Sequence, residues 1–253
     1  MHMKKMIIFS LLFLSLTVFS KEYVMIMSDS TAVNYRSPNM KNYYKLPWAP
    51  MSGWGEFTQK DIRGDIPLLN RAAGGYSSKT YFESWFPHSR KALRKDGWLL
   101  LSFGSNDCRP HPTWDRVTKP ESTYQEYLDK MASEAANAGM KIVIISPPPF
   151  FMMENGKFNN STLEPYAKAS KQLAERKGYY FIDLFNLLSN KFKNMTEAEI
   201  RTHYMFLKPG DSPNWPKGAA DILHFQNKGS ELIWQLMLDS IRKDIPDLAK
   251  LFK

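Results

Sequence analysis

The chain has 253 residues, with 34 lysines and arginines against 25 aspartates and glutamates, a formal net charge of +9 at pH 7. Its single cysteine excludes an internal disulfide bond. The basic residues are spread along the chain and form no nucleic-acid-binding motif, so we expect no nucleic-acid partner. The positive charge is typical either of an acidic partner or of a solvated basic surface, and the even spread of the basic residues favours the solvated surface.

Residues 1–20 have the pattern of a secretory signal. Lys4-Lys5 forms a basic start, Met6 to Val18 is apolar, and Ser20 precedes the expected cleavage site. A membrane anchor is the alternative, but the apolar stretch is shorter than the roughly 20 residues that a membrane span needs. We therefore predict cleavage near Ser20-Lys21 and a secreted or periplasmic protein without stable membrane insertion.

Residues 21–253 are predicted to form a single domain, because short apolar runs alternate with longer amphipathic stretches along the whole segment. The predicted strands are 23–27, 67–70, 98–103, 141–146 and 179–182. The predicted helices are 53–62, 79–93, 122–138, 163–177 and 229–243. Strands separated by helices favour an α/β fold, with a central parallel sheet and helices on both of its faces.

Three connections lack regular apolar spacing and carry Pro, Asn, Trp and Tyr instead, namely 35–51, 109–120 and 208–217. In an open parallel sheet, ligands bind outside the carboxyl ends of the strands. The polar motifs of this chain follow predicted strands or lie close to these connections. We therefore expect the functional site at that edge of the sheet.

The first motif is Asp29-Ser30-Thr31, directly after the strand predicted at 23–27. All three residues are good helix N-caps, so capping explains the motif as well as catalysis does. A serine hydroxyl becomes an effective nucleophile only beside a base. Of the five histidines, His224 follows Asp221 by three residues, which lets a carboxylate orient the imidazole in a turn that leads into a helix. The alternative is an incidental pair in a surface turn.

Two further motifs lie between the serine and the histidine. Gly74-Gly75 follows the strand predicted at 67–70, and Asn106-Asp107 follows the strand predicted at 98–103. A tight turn explains either motif alone, and Asp107 could cap a helix or hold a loop. A glycine N–H and an asparagine amide are also suitable donors to a developing oxyanion. Serine, glycine, asparagine and histidine, in this order, predict an acyl-transfer site.

Together these motifs resemble those of the SGNH (GDSL-type) hydrolases, and they are most similar to those of rhamnogalacturonan acetylesterases. The matching segments are 29–32, 53–57, 70–81, 103–107, 206–216 and 221–225. The resemblance covers nearly all of the chain after the predicted signal. It implies a flavodoxin-like three-layer α/β/α sandwich that uses no metal and no cofactor.

The resemblance also implies a role for each matching residue. Ser30 would be the nucleophile, and His224 would be the base, oriented by Asp221. The oxyanion hole would consist of the backbone N–H groups of Ser30 and Gly75 and the side chain of Asn106.

The chain departs from the family pattern at three positions. Ser28 replaces the usual glycine before Asp29, and Ser105 stands where these acetylesterases often carry histidine. Tyr76 stands where many of them have arginine. If that arginine meets an acidic sugar, this chain is expected to prefer another sugar.

The resemblance implies that the substrate is an acetylated polysaccharide or oligosaccharide, with pectic rhamnogalacturonan as the first expectation. The same chemistry also suits acetylated xylan, another glycan, and a lipid or thioester. Two rival hypotheses are an acetyltransferase with the same groups and a noncatalytic carbohydrate-binding protein on the same fold. The candidate sugar-stacking residues are Trp48, Trp54, Tyr76, Trp114 and Trp215, for which packing in the core or in loops is the competing explanation. The sequence does not indicate an oligomeric state.

Overall fold

The computed structural model describes residues 22–37, 49–159 and 161–253. The signal predicted at 1–20 and the candidate Trp48 lie outside the described residues. The strands are β1 (Tyr23–Ser28), β2 (Met51–Ser52), β3 (Leu68–Asn70), β4 (Gly97–Ser102), β5 (Lys141–Ile145), β6 (Met153–Glu154), β7 (Lys157–Phe158), β8 (Tyr180–Ile182), β9 (Tyr204–Leu207) and β10 (Ala219–Gln226). The α-helices are α1 (Trp54–Asp61), α2 (Ser78–Thr80), α3 (Phe86–Arg90), α4 (Gln125–Asn137), α5 (Glu164–Lys177), α6 (Leu184–Phe192), α7 (Glu197–Arg201), α8 (Asn227–Asp244) and α9 (Pro246–Ala249).

Five strands form a parallel sheet in the order β3-β1-β4-β5-β8. They are the five strands that the apolar runs predict. The inner strands β1, β4 and β5 are short, apolar and almost fully buried, as central parallel strands are, whereas the edge strands β3 and β8 are only partly buried. All five carboxyl ends meet at one edge of the sheet, and the segments that follow β1, β3 and β4 at this edge carry Ser30, Gly75 and Asn106.

Alternate residues of each strand face opposite sides of the sheet and enter separate hydrophobic cores. Val24 and Ile26 lie in a core with side chains of α1, α6 and α8. Met25 and Met27 lie in a second core with side chains of α4 and α5. The sheet is therefore the middle of three layers, and the predicted α/β/α sandwich is confirmed.

Several elements differ from the sequence-based expectations. Strands β2, β10 and β9 form a second, antiparallel sheet that the apolar pattern does not predict, and α6, α7 and α9 were not predicted either. The prediction of one continuous helix at 79–93 is wrong. The segment consists of α2, a π-helical turn at Tyr81–Trp85 and the short α3, which has Pro87 in its first turn. Proline removes a backbone donor, so it favours the start of a new helix over the continuation of an old one.

Within the described ranges, no helix has both the length and the apolar character of a membrane span.

Helix α1 lies against the 3₁₀ turn at Ser30–Ala32, which directly follows β1. The close approach depends on Gly55, where a Cβ atom would overlap the carbonyl oxygen of Ala32 and the side-chain amide of Asn70. The Asn70 amide donates a hydrogen bond to the same Ala32 oxygen at 2.8 Å. Because these groups are packed together, the glycine of α1 helps to fix the turn that carries Ser30.

We predict that Gly55→Ala lowers the free energy of unfolding by about 1–3 kcal/mol, the usual cost of overpacking, despite the better helix propensity of alanine. Urea unfolding measures the change. The matched control is Gly64→Ala, where a Cβ atom would meet nothing within 4 Å, so its effect should be within about 0.5 kcal/mol. If both variants were equally stable, the close contact at Gly55 would not be a constraint.

Candidate active site

Ser30 is the first residue of the 3₁₀ turn at the carboxyl end of β1, and it is almost completely buried. The carboxylate of Asp29 caps this turn, because it accepts hydrogen bonds from the backbone N–H and the hydroxyl of Thr31 at 2.9 and 2.7 Å. The hydroxyl of Tyr35 donates a hydrogen bond to the Ser30 carbonyl oxygen at 3.1 Å. The motif therefore has the capping geometry that its residue types predict, and capping also holds Ser30 in place.

The structure brings Ser30, His224 and Asp221 into one hydrogen-bonded chain. The Ser30 Oγ and His224 Nε2 atoms are 2.9 Å apart, and the His224 Nδ1 and Asp221 Oδ2 atoms are 2.6 Å apart. Because an ionised carboxylate only accepts, the proton belongs on Nδ1, which leaves Nε2 to accept from the Ser30 hydroxyl. In this tautomer the imidazole can remove the proton of the serine as that serine attacks an electrophile.

The aspartate and the histidine lie in a β-bulge of β10, so their predicted position in a turn that leads into a helix is wrong. Asp221 pairs with Met205 of β9, but the next paired residue, Phe225, lies opposite Tyr204. The intervening residues, which include His224, are therefore excluded from the ladder, as occurs in bulges beside functional sites. Helix α8 starts only after the strand has ended.

One carboxylate supports both the bulge and the imidazole. Oδ1 of Asp221 accepts from the backbone N–H groups of Leu223 and His224 at 2.8 and 3.1 Å, while Oδ2 faces the imidazole. Burial raises the pKa of Asp221, but the hydrogen bond and charge of His224 and the two backbone N–H groups outweigh it and lower the pKa to about 2. The carboxylate is therefore ionised at neutral pH and stabilises a protonated imidazole.

The structure also brings the glycine and the asparagine together at this edge. Gly75 follows β3 with a φ of +83°, a conformation that favours glycine. Its loop is tied to the end of β1, because the N–H of Ala73 donates to the Ser28 carbonyl at 3.0 Å. The side-chain amide of Asn106 donates to the carbonyl of Tyr76 at 3.0 Å. The amide group has a second N–H, and such a group is a suitable hydrogen-bond donor.

Arg116 is a residue of this site that the sequence analysis missed. It is 8% exposed, and its guanidinium donates to the carbonyl oxygens of Gly75 at 3.2 Å and Arg109 at 2.9 Å. The sequence offered no signal, because Arg116 lies in a connection without periodicity. Its contacts hold the glycine loop in place and put a positive charge next to it.

Asp107 is fully buried and connects two loops of the site. It accepts hydrogen bonds from the backbone N–H of Ser78 at 3.1 Å, the Ser78 hydroxyl at 2.5 Å and the Thr118 hydroxyl at 2.8 Å. Asp107 therefore holds the start of α2, in agreement with the helix-capping role that the sequence allows for it. Burial raises the pKa of Asp107 to about 6, although these hydrogen bonds oppose the increase.

The three residues that depart from the family pattern lie directly before Asp29, directly before Asn106 and directly after Gly75. Ser28 is the last residue of β1 and pairs with Ser102 of β4 in regular register. Ser105 is completely buried. Tyr76 is half-buried and lies directly after Gly75.

The candidate sugar-stacking residues have different environments. Trp54 is completely buried in a core, so its assignment to substrate binding is wrong. Trp114 is 40% exposed, and its ring is 5.1 Å from that of Tyr76. Trp215 is half-buried in the loop between β9 and β10. Tyr76 and Trp114 therefore form an aromatic pair beside Gly75.

In the described part of the chain, no three His, Cys, Asp or Glu side chains are grouped as ligands for a metal ion.

An α/β/α sandwich with this arrangement of serine, histidine and aspartate defines a hydrolase of the SGNH class. The sequence model of the GDSL-like Lipase/Acylhydrolase family matches residues 29–232, and the chain belongs to this family. This family membership confirms the expectations of a GDSL-type fold and of a carboxylic ester hydrolase.

Two relatives from Bacillus subtilis (strain 168) have a more specific name. The chain is 30% identical to the probable rhamnogalacturonan acetylesterase YesY over 192 residues, which are 76% of this chain and 83% of the relative. It is 29% identical to the rhamnogalacturonan acetylesterase RhgT over 197 residues, which are 77% of this chain and 82% of the relative.

Solved structures share the fold. Protein YxiM of Bacillus subtilis has a TM-score of 0.69 at 20% identity, and the match covers 88% of this chain and 57% of that one. The acetylxylan esterase Axe2 of Geobacillus stearothermophilus has a TM-score of 0.59 at 15% identity, and the match covers 87% and 94% of the two chains. At these identities the likeness establishes the fold alone.

Because its pKa is higher in the folded chain than the ordinary value of about 3.9, Asp107 stabilises the fold most at low pH. We predict that this contribution decreases by roughly 2 kcal/mol between pH 4 and pH 7, and that Asp107→Asn abolishes this part of the pH dependence. Urea unfolding of both proteins at several pH values measures the difference. Asp239, whose side chain is 72% exposed, provides the control substitution Asp239→Asn. A difference between wild type and Asp107→Asn that did not vary with pH would contradict the assignment.

Proposed function

We propose that this protein is a serine esterase that removes O-acetyl groups from a plant cell-wall polysaccharide, and that the polysaccharide is pectic rhamnogalacturonan. The observation that carries the proposal is the hydrogen-bonded chain from Asp221 through His224 to Ser30. The names of the two Bacillus relatives support the acetyl group and the pectic substrate.

In the proposed first half-reaction, Ser30 Oγ attacks the acetyl carbonyl carbon while His224 Nε2 takes the hydroxyl proton. The tetrahedral intermediate collapses as the imidazolium returns the proton to the departing sugar oxygen, which leaves an acetyl-serine. In the second half, His224 removes a proton from water, whose oxygen attacks the acetyl carbon. The proton then passes to Ser30 Oγ, and acetate leaves. Asp221 stays ionised and stabilises the imidazolium in both halves.

The proposed oxyanion hole consists of the backbone N–H groups of Ser30 and Gly75 and the free N–H of the Asn106 side chain. The proximity of these loops supports the assignment, since Asn106 is bonded to the residue after Gly75 and the glycine loop is bonded to the end of β1. Removing one oxyanion donor typically reduces the rate about 10²–10³-fold. Arg116 would act as a positioning residue that holds the Gly75 loop.

We also propose that residues 1–20 are a cleaved signal and that residues 21–253 fold as one domain. A polymeric cell-wall substrate does not enter a cell intact, so export would place the enzyme where its substrate is.

The proposal predicts serine-dependent release of acetate. Ser30→Ala and His224→Ala should each reduce turnover by several orders of magnitude, because the nucleophile or its base is lost. Acetate is measured after incubation of purified enzyme with acetylated rhamnogalacturonan, acetylated xylan and a small aryl acetate. The control is His88→Ala, an exposed histidine on α3, which should have wild-type activity.

The outcomes separate the competing functions. Serine-dependent release that is fastest from rhamnogalacturonan supports both the mechanism and the substrate. Release mainly from xylan, or only from the aryl acetate, would support esterase activity but contradict the pectic substrate. Wild-type activity in His224→Ala would refute the assigned base. The absence of any serine-dependent release would favour an acetyltransferase or a noncatalytic carbohydrate-binding protein.

A further inference from the structure

A cavity of about 390 Å³ lies beside the proposed oxyanion hole. Its lining includes Tyr76, Lys79, Glu83, Ser84, Trp114 and Asp115. One wall belongs to the π-helical turn at Tyr81–Trp85, a type of turn that often occurs at functional sites. The cavity adjoins the active site because Trp114 contacts Gly75, with its ring carbon Cζ3 3.5 Å from the position of a Cβ atom on that glycine.

Aromatic rings form one side of this cavity. The Trp114 ring lies 5.1 Å from that of Tyr76 and 5.3 Å from that of His111. Tyr76 is in turn supported by Trp85 at 5.9 Å. The cluster fixes the orientation of Trp114, which is nevertheless 40% exposed. A fixed and exposed indole ring provides a flat apolar surface, which suits the C–H face of a sugar ring.

Charged groups also line the cavity. The ammonium group of Lys79 bonds to the Asp115 carboxylate at 2.5 Å, and the side chains are 22% and 84% exposed. The hydrogen bond to Asp115 and the charges of Asp115 and Glu83 raise the pKa of Lys79, although partial burial opposes this. Glu83 also accepts a hydrogen bond from Tyr127 at 2.9 Å. The cavity therefore carries one cation and two carboxylates, and its cation is already paired.

We infer that this cavity is a subsite for a neutral sugar ring of the polysaccharide chain, next to the acetylated residue at Ser30. The ring would stack on Trp114, and its hydroxyl groups would bind the carboxylates and the ammonium group. A uronic-acid carboxylate would find no unpaired cation here and would meet two like charges, so the subsite selects against it. This inference rests on the proposed function and deepens it, because it adds the class of the sugar that neighbours the reacting one.

Binding is measured in the Ser30→Ala background, so that the result does not depend on turnover. Calorimetry is done with three unacetylated oligosaccharides: a rhamnogalacturonan hexasaccharide, xylohexaose and hexagalacturonate. At least one oligosaccharide with neutral sugars should bind about tenfold or more tightly than hexagalacturonate. Adding Trp114→Ala should weaken this binding about tenfold, because the buried aromatic surface is lost. Trp114→Phe should restore part of the affinity.

The matched control is Tyr180→Ala. Tyr180 is 42% exposed but starts β8, at the sheet edge opposite to Ser30, so this substitution should not change affinity. Asp115→Asn frees Lys79 and should strengthen the binding of hexagalacturonate. Three results would overturn the subsite. The Trp114→Ala and Tyr180→Ala proteins could have equal affinities, hexagalacturonate could bind most tightly, or no oligosaccharide could bind. None of these results concerns acetate release, which tests the proposed function separately.

Discussion

The hydrogen bond between Ser30 and His224 is the interaction on which the site depends, since it joins residues 194 positions apart in the chain. It forms only because β1 ends beside the bulge of β10, which belongs to a different sheet. Asp221 holds the bulge with one carboxylate oxygen and the imidazole with the other. The same side chain therefore determines the local backbone and the tautomer of the histidine, so the geometry and the proposed chemistry are not separable.

Three buried or partly buried carboxylates surround this interaction, and their environments differ. Burial raises the pKa of Asp29 and Asp107, whose oxygens accept hydrogen bonds that hold the loops after β1 and β3. The imidazole and two backbone N–H groups lower the pKa of Asp221 instead. Only this last carboxylate faces the imidazole directly. The buried guanidinium of Arg116 bonds to the carbonyl of Gly75.

The sequence predicted the parts of the molecule that depend on short-range patterns. The five apolar runs form the strands of the parallel sheet, and the inner strands β1, β4 and β5 are buried along almost their whole length, as continuous apolar sequence predicts. The second sheet was not predictable in this way, since β2 has two residues and β10 has a mixed pattern that its bulge interrupts. Ser30, Asp221 and His224 came from motif order and family resemblance. Arg116 and the burial of Trp54 depend on packing between distant segments, which no local pattern encodes.

The central claim is that Ser30 is an activated nucleophile. A small alkyl fluorophosphonate phosphonylates such a serine: the serine oxygen forms a bond to phosphorus, fluoride leaves, and the proton passes to the base. Mass spectrometry of the intact protein and of its peptides locates the adduct. The structure predicts one adduct, on Ser30, that forms rapidly in the wild type and is lost with His224→Ala. An adduct on another residue, or full activity after labelling of Ser30, would contradict the account.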